Sequence, residues 1–200
     1  DIPSGICADN GRILGCAFRA DATVTFAFGK AGLYLYPGAT FAGETEVADI
    51  GITELAFETN PPKLFTYDEN PYTYLPKRKP DGNKGTFGKL LVIAGFETMA
   101  GAAILCSRAA LQMGTGMVRV ICAPENRGIL QTAVPEVLYG TVSDWEQSVE
   151  WSDGIVIGPG LGKSEEVRAL LENILSTCKL PLVMDADALN LISENTSLQE

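Results

Sequence analysis

The chain has 200 residues, room for one large domain or for one domain and part of another. Hydrophobic residues make up 46% and charged ones 20%, a composition that can bury a core and excludes wholesale disorder. Twenty-five acidic against 15 basic residues leave a net charge of −10, a field that draws in neither nucleic acid nor an anionic membrane surface.

Residues 22–28, ATVTFAF, are β-branched and aromatic and predict a buried strand. A loop punctuated by Gly29, Gly32, Pro37, Gly38 and Gly43 follows, then a short strand near Glu46–Ile52. From residue 54 to 80 the character changes. NPPKLFTYDENPYTYLPKRKP carries five prolines and few aliphatics, so this stretch predicts a linker with one helical turn at its start and a domain boundary.

After residue 84 a regular rhythm begins. KLLVIAG (89–95) is a continuous apolar strand ending in glycine, and Ala100–Met113 predicts a helix with Ile104, Leu105, Ala109 and Leu111 inward. MVRVICA (117–123) is a second strand, and Asn126–Tyr139 includes a helix that Pro135 interrupts. GIVIGPG (154–160) is the third strand, Glu165–Thr177 an amphipathic helix capped by Ser164, and LPLVMDADAL (180–189) the fourth strand. Four apolar strands alternating with helices predict an α/β fold with a mostly parallel sheet covered on both faces. Ligands in such sheets bind at the carboxyl ends of the strands.

No apolar run approaches the ~18 residues of a bilayer span, and the opening DIPSG has neither the basic nor the apolar region of a signal peptide. The chain starts on a motif without an initiator Met and stops just after another, so both ends read as cut. Five cysteines (Cys7, Cys16, Cys106, Cys122, Cys178) are odd in number, widely spaced and without a C-x-x-C pair. They form neither a disulfide framework nor a metal knuckle. Cys106 and Cys122 lie in apolar runs as small core residues, which favours a reducing compartment, and a cytoplasmic location is expected. There is no histidine, so imidazole triads and imidazole metal ligands are excluded from these residues.

The strongest local signal for chemistry is GFETMAGAA (95–103), between a strand and a helix. Gly95 permits an abrupt exit, and Gly101, Ala102 and Ala103 lack bulk, so amides at the helix start can approach a phosphate or diphosphate. The same small residues would equally let helix and sheet pack closely. The loop matches neither G-x-G-x-x-G nor G-x-x-x-x-G-K-[ST]. GPGLGKS (158–164) is a second turn of this type, with Gly158 and Gly160 beside Pro159. NKGTFGK (83–89) adds Lys84, either an anion contact or a solvated lysine. Asp185 and Asp187 sit at a strand end, on one side by alternation, and suit metal–phosphate coordination or hydroxyl orientation, or a helix cap. At the other end of the chain, DIPSG offers Asp1 as a general acid or base and Ser4 as an oxygen for a hard cation, although it also describes an ordinary turn.

Taken together these residues resemble the bifunctional NAD(P)HX-repair enzymes, which join an epimerase domain to an ADP- or ATP-dependent dehydratase domain. DIPSG, TVTF, K-x-G-L, YPG and V-x-D-I-G-I resemble the closing third of the epimerase domain. KGTFGKLLVIAG, M-x-GAA, AL-x-x-G-x-G, GPGLG and DADAL resemble the opening half of the dehydratase domain. The resemblance implies the end of a Rossmann-like epimerase domain (1–56), a linker (57–80) and the first half of a ribokinase-like three-layer αβα domain (81–200). It implies interconversion of the R and S epimers of hydrated NAD(P)H, and dehydration of the S epimer by phosphorylating the new hydroxyl and expelling phosphate. The cofactors implied are a potassium ion and ADP or ATP with magnesium.

By the same resemblance Asp1 is the catalytic, substrate-contacting aspartate and Ser4 the potassium-binding hydroxyl. Lys84, Ala102, Ala103, Gly158 and Gly160 fall in the region that contacts the hydrated dinucleotide. The nucleotide-binding residues are expected beyond Glu200, and further epimerase residues before Asp1, so these 200 residues alone are expected to be inactive. Asn83 stands where the family usually has His; it can hydrogen-bond but not titrate. A homo-oligomer acting on a small dinucleotide, with no nucleic acid or membrane partner, is the expected assembly. The rival readings are a sugar or vitamin kinase of the ribokinase-like class, a nucleotide-sensing scaffold without catalysis and, least favoured for want of G-x-G-x-x-G, a hydride-transferring dehydrogenase.

Overall fold

A computed structural model describes residues 1–58, 61, 64–65 and 71–195. The chain divides into two compact units, Asp1–Leu75 and Pro76–Glu200. The division falls inside the proline-rich stretch, parts of which lie outside the described residues.

In the first unit, β1 (Ala22–Phe26) pairs in parallel with β2 (Glu44–Ala48), from Ala22 opposite Glu44 to Phe26 opposite Ala48. Between them lie two single-turn helices, α1 (Ala31–Tyr34) and α2 (Ala39–Ala42). The apolar run of 22–28 predicts burial of its large side chains, and the structure reverses this. Thr23 and Thr25 point inward, while Val24, Phe26 and Phe28 are about half exposed. The inward hydroxyls are paired: Thr23 Oγ1 donates to Ala42 O at 2.6 Å and Thr25 Oγ1 to Asp1 Oδ1 at 2.8 Å, so their burial leaves no stranded polar group. β2 starts two residues earlier than expected. Gly43 turns the chain into it with φ +64°, and the Asp49 carboxylate, accepting from Gly51 N at 2.8 Å, ends it. The expected helical turn is a 3₁₀ turn at Glu54–Phe57, whose Phe57 ring meets Phe28 edge to face at 4.9 Å.

The second unit carries a five-stranded sheet in the order β5-β4-β3-β6-β7, with every described pairing parallel. Its strands are β3 (Lys89–Ile93), β4 (Met117–Ile121), β5 (Leu138–Gly140), β6 (Gly154–Ile157) and β7 (Leu182–Met184). Successive side chains of β3 face opposite layers. Leu91 and Ile93 join Ile121, Ile155 and Ile157 beneath α6 (Glu165–Thr177) and α7 (Asp187–Glu194), with α5 (Trp145–Trp151) at the margin. Val92 and Ala94 join Val118 and Val120 beneath α3 (Ala100–Gln112) and α4 (Arg127–Ala133). Helices thus lie on both faces of the sheet, giving three layers, while Val183 of β7 stays 60% exposed on the α3 side. Ser164 caps α6 as expected, its Oγ accepting from Val167 N at 3.3 Å, and α4 stops two residues before Pro135.

Three expectations for this unit are corrected. The sheet has five strands rather than four, because Leu138–Gly140 forms a short edge strand that pairs with β4. Within α3, Ala100, Ala103 and Ser107 are the buried positions, while Leu105 is 70% exposed and Ala109 exposed; Ala103 packs directly on the Gly95 turn. LPLVMDADAL is not one long strand. β7 covers only Leu182–Met184, and Ala186, with φ +47°, turns the chain into α7 at Asp187. Asp185 and Asp187 therefore lie on a strand exit and a helix start instead of on one side of a strand.

Candidate functional site

β3 leaves the sheet through Gly95, whose φ of +74° a side chain rarely adopts. A Cβ there would also lie 2.6 Å from that of Ala103. The loop after β3 is then sewn to the loop after β6: Gly95 N donates to Pro159 O at 3.0 Å and Phe96 N to Gly160 O at 2.8 Å. Gly158, with φ +127°, donates to Ile93 O at 3.1 Å, and a Cβ on it would stand 1.8 Å from Asp185 O. A Cβ on Gly160 would lie 2.8 Å from those of Ala102 and Met99.

Two side chains hold these loops from outside the glycine motifs. Asn126, buried after β4, donates through Nδ2 to Gly95 O at 2.9 Å and Glu97 O at 2.6 Å. It thereby braces Glu97 in a left-handed conformation, φ +45°. Asp187 Oδ2 accepts from Gly162 N at 2.8 Å, so this aspartate fixes the loop after β6.

The helix starts that follow β3 and β6 differ. α6 satisfies its own, with Ser164 as cap and Glu165 and Glu166 in its first turn. α3 has no side-chain cap and no acidic residue in its first turn. Ala100 and Gly101 occupy positions where helix geometry supplies no acceptor for the amide, and space is open beside Gly101. Next to this start runs a groove of about 620 Å³ whose lining includes Ala102, Leu105 and Cys106 of α3, Val156 of β6, and Val183 and Asp185 at β7. Burial, and then the charge of Asp185, pushes the Cys106 thiol up. Cys122, buried beneath α4, is pushed up to about 11 by burial and by the nearby Glu125 charge, so both thiols stay protonated near neutrality. A hollow of about 590 Å³ in the first unit is lined, among the described residues, by Thr53, Leu55, Phe57 and Glu58, on and beside the 3₁₀ turn.

Of the six residues expected to touch the substrate, the structure gathers Ala102, Ala103, Gly158 and Gly160 at one edge, but in different roles. Ala102 lines the groove. Ala103 is fully buried against Gly95, and Gly158 and Gly160 make room for neighbouring backbone and side chains of the protein itself. Lys84 is not brought to them. It precedes β3 at the amino edge of the sheet, where its carbonyl packs on Gly116, one strand length or about 17 Å from the carboxyl edge.

In the first unit Asp1 meets a cluster of donors. Its Oδ1 accepts from Thr25 Oγ1 at 2.8 Å, Phe26 N at 3.0 Å and Lys30 Nζ at 2.7 Å. Ser4 carries an exposed hydroxyl with no hydrogen-bond partner among the described residues, on a turn held by Phe18 N donating to Ser4 O at 2.9 Å. Among the described residues no group of three or more Cys, Asp or Glu side chains could hold a metal ion. Asn126 had no local signature as a site residue, and Thr25 and Lys30 lay in the TVTF and K-x-G-L motifs with no role assigned to them; their contacts reach 24 to 31 residues away in sequence.

A family model described as NAD(P)H-hydrate dehydratase matches residues 90–200. The chain belongs to this NAD(P)H-hydrate dehydratase family. A second model, described as YjeF-related protein N-terminus, matches residues 1–32. The bifunctional NAD(P)H-hydrate repair enzyme of Coxiella burnetii is 38% identical over the whole of this chain, which spans 42% of that relative. Two solved structures match somewhat more than half of the chain. A ribokinase-like superfamily protein of Enterococcus faecalis has a TM-score of 0.57 at 30% identity over 60% of this chain and 44% of its own. The ADP/ATP-dependent NAD(P)H-hydrate dehydratase of Bacillus subtilis, co-crystallized with ATP/Mg2+, has a TM-score of 0.51 at 30% identity over 57% of this chain and 43% of its own. The three-layer unit is ribokinase-like, and the chain spans about two fifths of the length of the curated relatives it matches.

Proposed function

We propose that the chain works within a bifunctional repair enzyme that returns hydrated NAD(P)H to NAD(P)H. In this reading residues 1–56 belong to an epimerase domain that interconverts the R and S hydrates, 57–80 to a linker and 81–200 to a dehydratase domain. The dehydratase transfers a phosphoryl group from ADP or ATP, with magnesium, to the hydroxyl of the S hydrate. Phosphate then leaves with the C–O electron pair, a ring proton is lost and the double bond of the nicotinamide ring is restored.

The observation that carries this is the uncapped start of α3 beside an apolar groove, in a stretch that matches the dehydratase family. The amides of Ala100 and Gly101 would face the diphosphate bridge, with Ala102 against the dinucleotide. Gly158, Gly160 and Ala103 would serve by shaping the loops. Lys84, at the opposite edge, is left out of this site. In the epimerase part Asp1 is the proposed catalytic carboxylate. Ser4 would give one oxygen to a potassium ion, a role its unpartnered hydroxyl fits; such an ion would supply charge for binding an anionic substrate. A cytoplasmic homo-oligomer is the proposed assembly. No described helix is long and apolar enough to cross a membrane.

Gly101→Asp tests the dehydratase reading in an intact enzyme of the relatives' length carrying this chain. A carboxylate in the first turn favours the helix, so thermal stability should hold, while repulsion of the diphosphate should raise KM for hydrated NADPH by about tenfold, roughly 1.4 kcal/mol. Recovery of NADPH absorbance with ADP or ATP reports the reaction. An unchanged KM removes the diphosphate from α3, and accumulation of a stable phosphorylated alcohol would favour a kinase.

A further inference from the structure

The three donors around Asp1 converge on one oxygen. Thr25 Oγ1, Phe26 N and Lys30 Nζ all bond Oδ1, at 2.8, 3.0 and 2.7 Å, and among the described residues Oδ2 has no partner. Three donors exceed the lone pairs of a single carboxylate oxygen, so Oδ1 is saturated and the rotation of the carboxyl group is fixed. The donors are also of three kinds: a buried hydroxyl, a backbone amide and a charged ammonium.

The backbone that brings Lys30 to Asp1 is itself strained. Ala27 has φ +62°, and Phe28 N donates to Phe26 O, two residues back, at 2.7 Å. This is a γ-turn in the strained form, at a residue with a side chain. The turn folds the chain back over the end of β1. The Lys30 ammonium then bridges Phe26 O, at 2.8 Å, and Asp1 Oδ1. An ion pair alone could form anywhere on a surface. A strained turn that leads it to an oxygen already holding two hydrogen bonds indicates a built arrangement.

We infer that Lys30 and Thr25 are positioning residues that fix Asp1 through Oδ1 and leave Oδ2 as the oxygen presented to substrate. The inference rests on the epimerase reading of the first unit. Lys30 does not exchange protons with the substrate; it acts through the carboxylate. Loss of its ammonium lets the carboxyl rotate and lowers turnover without removing a substrate contact.

The test measures conversion of R- to S-hydrated NADPH in an intact enzyme of the relatives' length. It compares Lys30→Met, Lys30→Arg, Lys30→Ala, Thr25→Ser, Thr25→Val and Asp1→Asn, with dehydration of the S hydrate by the same molecules as the folding control. Lys30→Met is expected to lower epimerase kcat at least tenfold with KM within twofold and dehydratase activity unchanged. Lys30→Arg should keep most of kcat, and propylammonium should restore part of it to Lys30→Ala. Thr25→Ser should match the parent and Thr25→Val should not. A Lys30→Met enzyme with parental kcat beside an inactive Asp1→Asn overturns the inference and leaves the epimerase reading standing, as does a loss confined to KM. A parent without conversion, or an Asp1→Asn enzyme as active as the parent, overturns both. Should Lys30→Met fail to fold, the Lys30→Arg and Thr25 pairs decide by the same criteria.

Discussion

The glycines at the carboxyl edge of the sheet share a residue type and little else. Gly158 and Gly160 are required by the protein's own packing: each has a positive φ, and a Cβ on either would meet another loop at 1.8 or 2.8 Å. Gly101 is helical, with open space beside it. Substituting alanine should therefore act in opposite directions. Gly158→Ala is expected to destabilise by about 2–4 kcal/mol through combined strain and overpacking, and Gly101→Ala to stabilise by up to about 1 kcal/mol. Urea unfolding of the intact enzyme reads both, and equal costs at the two positions would refute the distinction. From sequence the small residues of 95–103 were open to either a ligand or a packing reading; in the structure Gly95, Gly158 and Gly160 make room for the protein's own packing, while Gly101 has open space beside it. Sequence spacing does not record which neighbour a missing Cβ would strike, so the division was not legible beforehand.

At the level of elements, legibility followed burial and capping. β3, β4 and β6 are continuous apolar runs because both their faces are covered, and α6 announces itself with Ser164 and an apolar stripe of Val167, Leu170, Leu171 and Ile174. β5 and β7 have three residues each, too few for a period to show. α5 was missed although Thr141 and Asp144 form a capping box ahead of it, the one signal that could have found it. Here the Asp144 carboxyl is held below the usual range by the Thr141 hydroxyl, donating at 2.7 Å, and by the Thr141 amide at 2.9 Å. A depressed folded-state value stabilises above the unfolded carboxyl value of about 3.9 and is lost as pH falls through the folded one. The parent should thus lose more stability than Asp144→Asn between about pH 5 and pH 3, and parallel unfolding curves across that range would show that the box contributes nothing to the pH response.

Across the whole molecule the two units carry different chemistry. One presents a carboxylate fixed by an ammonium and a hydroxyl, the other bare helix amides beside a groove. The acidic balance of −10 makes such local donors more telling, because an anionic substrate gains little from the overall field. The division between the units, at Leu75 and Pro76, falls within the run of prolines. The site in the second unit was legible as a neighbourhood, the carboxyl edge of a parallel sheet, but Asn126 and the Asp187–Gly162 bond were not, since each joins segments distant in sequence.

The sewing of the β3 exit to the β6 exit has one more consequence. Gly95 and Phe96 donate to Pro159 and Gly160, some 64 residues away, so these loop amides belong to the sheet's cooperative unit although they sit in turns. In native-state hydrogen exchange they should open with the central strands and not with the surface loops; rapid exchange at both would refute this. Under the proposed dehydratase reading, a cradle ordered when the protein folds would spare an incoming dinucleotide the entropic cost of arranging it.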